Sequence, residues 1–346
     1  MIVTCQAGFQ DLLAGELAAL GHAVAEEGPG WVRLEPAGRA APAADGTPTP
    51  VAAGDWAFAH VTLTDAREIK GSSVNALAQG LVEAMLAAVR GERIESAWPC
   101  VFHCPAEIVG LGRRVASVER AFHELLRKRL SRVSKLAVSD LPRALGEHRG
   151  WMVYFVDFDR AFAARTLQIH GPRRMADDDR APSRSYLKVE EAYVLAGREP
   201  QPGETVVDLG AAPGGWSYSA AKRGAQVLAL DNGPLKGGAL GHPQIEHRRV
   251  DAFGFQPEPG QCFDWLFCDL VEDPHHVLSN LVEPWLSRHW CRRFIVNLKF
   301  GRVAPQAFLA EVRSPQGVFA RYAPGFRVSH LYHDREELTV VGEVKP

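Results

Sequence analysis

Val206-Val207-Asp208-Leu209-Gly210-Ala211-Ala212-Pro213-Gly214-Gly215-Trp216-Ser217 is the most informative stretch of this 346-residue sequence. It reads as a buried strand over 205–209, a glycine-rich turn, and a helix from Trp216 onward. The paired valines favour the strand. Gly210 permits a sharp turn, and Gly214 and Gly215 are expected to let a ligand approach bare backbone. The helix that follows presents free N–H groups and the positive end of its dipole to the same place. A nucleotide-like cofactor is therefore expected here.

Which cofactor follows partly by elimination. The dinucleotide fingerprint G-x-G-x-x-G is not met, because the second glycine is replaced by Ala212. The phosphate-binding P-loop is not met either, because no Gly-Lys-Ser/Thr follows. S-adenosylmethionine, which carries adenosine and an amino-acid tail but no phosphate, fits such a loop.

Downstream, strands and helices alternate, which predicts a parallel sheet covered on both faces. The expected strands are 205–209, 226–230, 247–250, 263–268, 294–298 and, last, 338–341. Asp231, Asp251 and Asp269 follow the second, third and fourth at once. Ligands on open α/β sheets bind beyond the carboxyl ends of the strands, so these acids should share one rim. Asp231 lies 23 residues after Asp208, near the spacing at which an acid meets ribose hydroxyls. Asp251 is placed to accept from an adenine amino group, with Phe253 as an apolar wall.

Asp269, in Phe-Cys-Asp-Leu-Val-Glu-Asp-Pro, stands where a methyltransferase keeps its chemistry. An Asn/Asp-Pro-Pro-Tyr/Phe motif for amino methylation is missing, and so is a Pro-Cys nucleophile for cytosine carbon. Cys268 precedes the aspartate and should point into the core. Oxygen remains as the acceptor. Lys188, in the helix expected over 185–195 with Ser185 as its N-cap, and Lys299, closing Phe-Ile-Val-Asn-Leu-Lys, support that reading.

The first half reads differently. A strand at 1–5, a helix at 10–20, and strands at 31–34 and 56–63 form a ferredoxin-like β-α-β-β order. The proline- and alanine-rich residues 36–50 are expected to be a loop or hairpin tip. A helix over 74–89, a strand over 96–103, a helix over 115–133 and an aromatic strand over 151–158 follow. Residues 113–149 hold ten Lys/Arg against four acids, a net of +6 in a chain whose overall charge is −2. A polyanion is the natural partner of such a local patch. Residues 170–184, with four arginines and three adjacent aspartates, read as a linker.

Composition sets the remaining bounds. With 46% hydrophobic and 23% charged residues, the chain can bury a core. Its six cysteines do not form a disulfide scaffold, and Cys100 and Cys104 lack a second pair at zinc spacing, so no metal is expected. There is no membrane-length apolar run and no signal-peptide pattern, which makes a soluble cytoplasmic protein the expectation.

Four motifs carry a resemblance: Ser-Arg-Ser-Tyr-Leu-Lys-Val-Glu-Glu-Ala, Asp-Leu-Gly-Ala-Ala-Pro-Gly-Gly-Trp-Ser, Cys-Asp-Leu and Asn-Leu-Lys, followed by an acidic residue opening the last strand. Together they resemble the FtsJ/RrmJ-type RNA ribose 2′-O-methyltransferases over about half of the chain. The N-terminal half, Asp-Asn-Gly-Pro after the second strand, and Leu-Tyr-His-Asp-Arg-Glu-Glu near the end resemble, within that group, the large-subunit rRNA methyltransferase M family. The resemblance implies a ferredoxin-like unit over 1–65, a THUMP-like RNA-binding domain over 66–170, and a Rossmann-like class I methyltransferase domain over 171–346. That last domain would have a mostly parallel sheet with an antiparallel last strand.

The resemblance further implies methylation of the 2′-hydroxyl of a cytidine near the peptidyl transferase centre of 23S rRNA. The substrate would be that rRNA or a large-subunit precursor, and the enzyme a monomer. The family's Lys-Asp-Lys-Glu tetrad falls on Lys188, Asp269, Lys299 and Glu337. Its S-adenosylmethionine contacts fall on Ser185, Ala212, Pro213, Gly214, Gly215, Asp231, Asp251 and Asp269. Glu336 competes with Glu337 for the last tetrad position, and a strand would turn the two to opposite sides. Whether Lys299 serves as a neutral base or as a charged positioning group is open at this point. Two other classes compete: a nicotinamide oxidoreductase, disfavoured by the missing glycine, and a non-catalytic rRNA-binding assembly factor, disfavoured by the intact Lys188, Asp269 and Lys299.

Overall fold

The computed structural model describes residues 1–35 and 56–346. The loop expected over 36–50 lies outside the described residues. The chain divides into two compact units, Met1–His170 and Gly171–Pro346.

The first unit is built on one sheet. Its strands are β1 (Ile2–Thr4), β2 (Val24–Gly28), β3 (Trp31–Leu34), β4 (Val61–Leu63), β5 (Arg67–Lys70), β6 (Trp98–His103), β7 (Ala137–Val138), β8 (Gly146–Asp157) and β9 (Arg160–Ile169). They run in the order β2-β3-β1-β4-β9-β8-β6-β7, with β5 also on β9. The sheet is continuous across residue 65, because β4 pairs with the far end of β9. Helix α1 (Gln10–Ala19) follows β1, and α2 (Val74–Ala88), α3 (Leu111–Arg129) and the short α4 (Ser131–Lys135) belong to the later part.

The aromatic density of β8 has a packing reason. Trp151, Val153 and Phe155 alternate onto the face covered by Leu77, Leu81, Val118 and Phe122 of α2 and α3. Met152, Tyr154 and Val156 take the other face with Ile2, Trp31 and Phe162. Both faces are buried over 151–156, so that part of the strand is apolar throughout rather than alternating.

Three local expectations are corrected here. Of residues 56–63 only Val61–Leu63 is strand. The amides of Ala57 and Phe58 instead donate to the buried Glu16 carboxylate, at 2.6 and 3.0 Å. The long basic helix starts earlier, at Leu111, and breaks at Leu130, whose backbone leaves the helical region. Strand β9, with three alanines and no regular alternation, was not expected.

The second unit is a seven-stranded sheet. Its strands are β10 (Thr205–Leu209), β11 (Gln226–Leu230), β12 (Ile245–Arg248), β13 (Phe263–Cys268), β14 (Cys291–Lys299), β15 (Arg327–Ser329) and β16 (Glu337–Glu343). They are ordered β12-β11-β10-β13-β14-β16-β15. The first five are parallel, while β16 runs antiparallel to β14 and to β15. This is the Rossmann-like sheet with an antiparallel last strand that the family resemblance implies. Helices α5 (Tyr186–Ala196) and α6 (Gly215–Ala221) pack with Val206, Val227, Trp265, Phe267 and Ile295 in one core. The strand order reverses between β10 and β13, the place where α/β sheets open a crevice for ligands.

Ser185 does not cap α5. Its backbone is already helical and its side chain makes no capping bond. The hydroxyl meets that of Ser183 at 2.8 Å instead, while its carbonyl accepts from the Trp216 indole at 3.0 Å.

Candidate functional site

The loop after β10 closes on the protein itself. Gly210 and Gly214 have positive φ, +79° and +105°. A Cβ on Gly210 would meet Leu270 at 2.4 Å, and one on Gly214 would meet Ala239 at 2.5 Å. A Cβ on Gly215 would lie 2.9 Å from the Ser185 hydroxyl and 3.0 Å from that of Ser183. These glycines are therefore required for the loop to seat against segments 183–186 and 235–239. On the side where a Cβ would stand, Gly214 and Gly215 face protein atoms, so packing by itself calls for glycine at both. Ala212 and Pro213 are joined by a cis peptide bond.

Buried Asp208 organises the start of α6. Its carboxylate accepts the Ser217 hydroxyl at 2.6 Å and also the Ser217 amide. Burial, reinforced by the charges of Asp269 and Asp231, pushes its carboxyl up to about 7 against those bonds.

Asp231 follows β11 directly. One carboxylate oxygen accepts the Ala212 amide at 3.0 Å and the other the Gly233 amide at 2.6 Å. Each ionised oxygen keeps a lone pair, so the carboxylate can still accept two vicinal hydroxyls while it pins the loop. Asp251 departs from expectation: β12 ends at Arg248, three residues earlier, and the exposed Asp251 carboxylate accepts the Phe253 amide at 3.0 Å. Phe253 lies against the His276 ring, 4.7 Å between centroids and tilted by 46°. The loop Gly210–Gly215 carries no basic residue. A nucleoside with an amino-acid tail and no phosphate fits this set of hydroxyl acceptors, apolar walls and uncharged loop.

Beside the crevice lie two lysines and two carboxylates. Asp269 follows β13, Lys299 ends β14 and Glu337 opens β16, where it is the register partner of Lys299. The Lys299 ammonium donates to Asp269, to Glu337 and, at 2.6 Å, to the Asn297 side-chain oxygen. Its three protons are thus all engaged. Lys188, from α5, lies 2.5 Å from the second Glu337 oxygen and 3.7 Å from the second Asp269 oxygen.

Burial alone would lower the Lys299 ammonium, but Asp269 and Glu337 outweigh it and hold it above the ordinary lysine range. Burial alone would raise the Glu337 carboxyl; Lys299 and Lys188 outweigh it and hold it lowered. Glu336 is exposed and faces Gly301. Of the two glutamates, the strand register brings Glu337 to the lysines.

Sequence reasoning missed several residues behind this cluster. Asn297, Thr339 and Asp334 are buried and bonded to one another. Fully buried Glu191 accepts the amides of Arg173, Tyr332 and His333, so it fastens the start of the linker and the loop before β16 to α5. A charged residue among the apolar positions of α5 was the only available signal.

In the first unit, the basic run separates into two sets. Arg114 donates to the carbonyls of Phe158 and Ser72, and Arg149 to Thr166 and Glu92. Arg113, Arg120, Arg127, Lys128, Arg129, Arg132, Lys135 and Arg143 are exposed and make no ion pair among the described residues. Arg113, Arg120 and Arg127 recur every seven residues along α3, which places them on one helix face about 10 Å apart.

Residues 181–304 match the FtsJ-like methyltransferase family. The chain is 34% identical to the ribosomal RNA large subunit methyltransferase M of Halorhodospira halophila, over 98% of this chain and 95% of that one. It is 32% identical to the protein of the same name from Xanthomonas oryzae pv. oryzae, over 99% and 98%. It is 44% identical to that from Laribacter hongkongensis, over 48% of each. Among the described residues, no helix is long and apolar enough to cross a membrane.

Proposed function

The chain belongs to the ribosomal RNA large subunit methyltransferase M family, and we propose that it methylates the ribose 2′-hydroxyl of a cytidine near the peptidyl transferase centre of 23S rRNA. The observation that carries this reading is the cluster of Lys188, Asp269, Lys299 and Glu337 beside the Asp231 loop. The protein is an S-adenosylmethionine-dependent methyltransferase of large-subunit rRNA. When bound, S-adenosylmethionine supplies an electrophilic methyl group. Asp231 would accept the hydroxyls of its sugar, the Ala212–Gly215 loop and Ser185 would flank it, and Asp251 and Asp269 would complete the set of residues that hold it.

The lysines act as charged groups in this mechanism. A Lys299 ammonium already held by two carboxylates has no free electron pair, which argues against a neutral base. Lys188 has a donor to spare for the incoming 2′-oxygen. Both ammoniums stabilise the charge that develops as the hydroxyl proton leaves, and fixed charges of this kind need no reorganisation during the reaction. The proton departs by way of Asp269, whose side chain keeps 15% of its exposure to water. Holding the oxygen in line supplies much of the rate.

The first unit serves as the RNA-holding part in this reading, with a ferredoxin-like region over 1–65 and a THUMP-type region over 66–170. The exposed cations of α3 and α4 support that role. The deciding experiment incubates the enzyme with labelled methyl donor and unmodified 23S rRNA, then maps ribose positions that resist alkali. One labelled cytidine is expected, and it should disappear with Lys299→Ala while S-adenosylmethionine binding persists. Label on a base, or full activity in the variant, defeats the assignment.

A further inference from the structure

We propose that Asp334 is a positioning residue for the Lys299 ammonium, acting through the side-chain amide of Asn297. The inference rests on the reading of Lys299 as part of the reacting site. Asn297 and Lys299 are two residues apart on β14 and therefore point to the same side of the sheet. Thr339 of β16 is the register partner of Asn297. Asn297, Thr339 and Asp334 are all at most 1% exposed.

The bonds fix the direction of the amide. Asp334 accepts the Asn297 NH2 on one carboxylate oxygen at 3.1 Å. Its other oxygen accepts the Thr339 hydroxyl at 3.0 Å and the Leu331 amide at 2.9 Å. Having donated to Asp334, the Thr339 oxygen accepts the second Asn297 N–H at 3.1 Å. Both donors of the amide are thus consumed on the side away from the site, and its carbonyl oxygen is left facing Lys299 at 2.6 Å. With Asp334 ionised, a flipped amide would set its oxygen against the carboxylate and its NH2 against the Lys299 ammonium, repulsive on both sides. Among the described residues Asp334 is hydrogen-bonded toward Lys299 through this relay and not directly, although its charge is also felt by Glu337 and Lys188, so it orients Lys299 without touching substrate.

Asp334→Asn keeps the volume but offers one acceptor oxygen to three donors. The expected result is a fall in kcat of roughly ten- to a hundredfold, the range for a hydrogen bond to a charged group. The Kd for S-adenosylmethionine and the KM for 23S rRNA should stay within about twofold. Thr339→Val should lower kcat in the same way, and Thr339→Ser should restore it. The double variant Asp334→Asn/Asn297→Ala should be no slower than Asn297→Ala alone. Additive losses, an unchanged kcat in Asp334→Asn, or a loss that falls equally on cofactor binding overturns the proposal.

An arm independent of turnover follows the Lys299 Cε resonance in 13C-lysine-labelled protein, assigned with Lys299→Arg. The resonance should move in Asp334→Asn and in Asn297→Ala; a resonance that stays in place overturns the proposal. A wild-type enzyme that labels no ribose would remove the proposed function instead, and the resonance would still decide the role of Asp334.

Discussion

Lys299 and Glu337 are register partners across the antiparallel pair of β14 and β16, and an ion pair joins their side chains. The β14–β16 pairing thus brings together two charges that lie 38 residues apart in the chain. Glu337 also holds Lys188, so one nearly buried carboxylate serves two ammoniums. Removing one partner of a buried pair leaves the others uncompensated and costs about 3–5 kcal/mol. Glu337→Ala should therefore lower unfolding stability by about 3 kcal/mol. Glu336→Ala, at an exposed position, should stay within about 0.5 kcal/mol of the parent. Urea denaturation of the two variants checks the contrast, and equal losses would mean that the register does not select between the glutamates.

The exposed cations of α3 give a second expectation. If Arg113, Arg120 and Arg127 meet phosphates, the triple alanine variant should weaken binding to 23S rRNA. The slope of log affinity against log salt should then become shallower by roughly 2–3, at about 0.7–0.9 per phosphate contact. S-adenosylmethionine affinity should not change. Arg114→Ala is the control: its guanidinium holds two backbone carbonyls, so it should cost stability while leaving the salt slope in place. Filter binding at several salt concentrations separates the two effects.

How far the sequence could be read follows from where each interaction is decided. Asp231 and Asp269 were legible because a strand's carboxyl end can be read locally and parallel sheets collect those ends on one rim. Glu337 was narrowed to a pair and no further, since the choice depends on the β14–β16 register. Asp334 acts through tertiary contacts, and no spacing announces it. Strand β5, Arg-Glu-Ile-Lys, is polar and lies on the sheet only through β9, so its pattern resembles a loop. Ser185 had the right residue type for a cap, but Ser183 and Trp216 claim its polar groups.

Gly214 tests whether the loop is a packed element. Its φ of +105° and the 2.5 Å approach that a Cβ would make to Ala239 are two separate penalties. Gly214→Ala should cost roughly 2–4 kcal/mol, combining a left-handed backbone cost with overpacking. Gly112→Ala, in open space on α3, should instead stabilise by about 0.5–1 kcal/mol. Thermal unfolding of both variants is the measurement. A Gly214→Ala protein as stable as the parent would mean that the loop can move away from the 235–239 segment.

The pH dependence of stability has two opposing sources in the second unit. His330 is fully buried, and burial pushes its imidazole down to about 4 even though its ring meets the Arg335 carbonyl at 2.7 Å. Between that value and the ordinary 6.5, the unfolded chain binds the proton and the folded chain does not. This contribution is therefore complete above about pH 6.5 and is lost as pH falls toward 4, at about 1.4 kcal/mol per pH unit. Asp208 and Asp334, both pushed up to about 7 chiefly by burial, have the opposite sign. The folded chain holds their protons between 3.8 and 7, so their contribution is present at low pH and is lost as pH rises through that window. His330→Gln removes the titration and keeps a donor for Arg335. The stability gap between parent and variant should shrink on going from pH 7 to pH 4.5, whatever the carboxyls contribute, because they are common to both proteins. A gap that is constant with pH, followed by urea denaturation at each pH, would show that His330 is not held neutral by the fold.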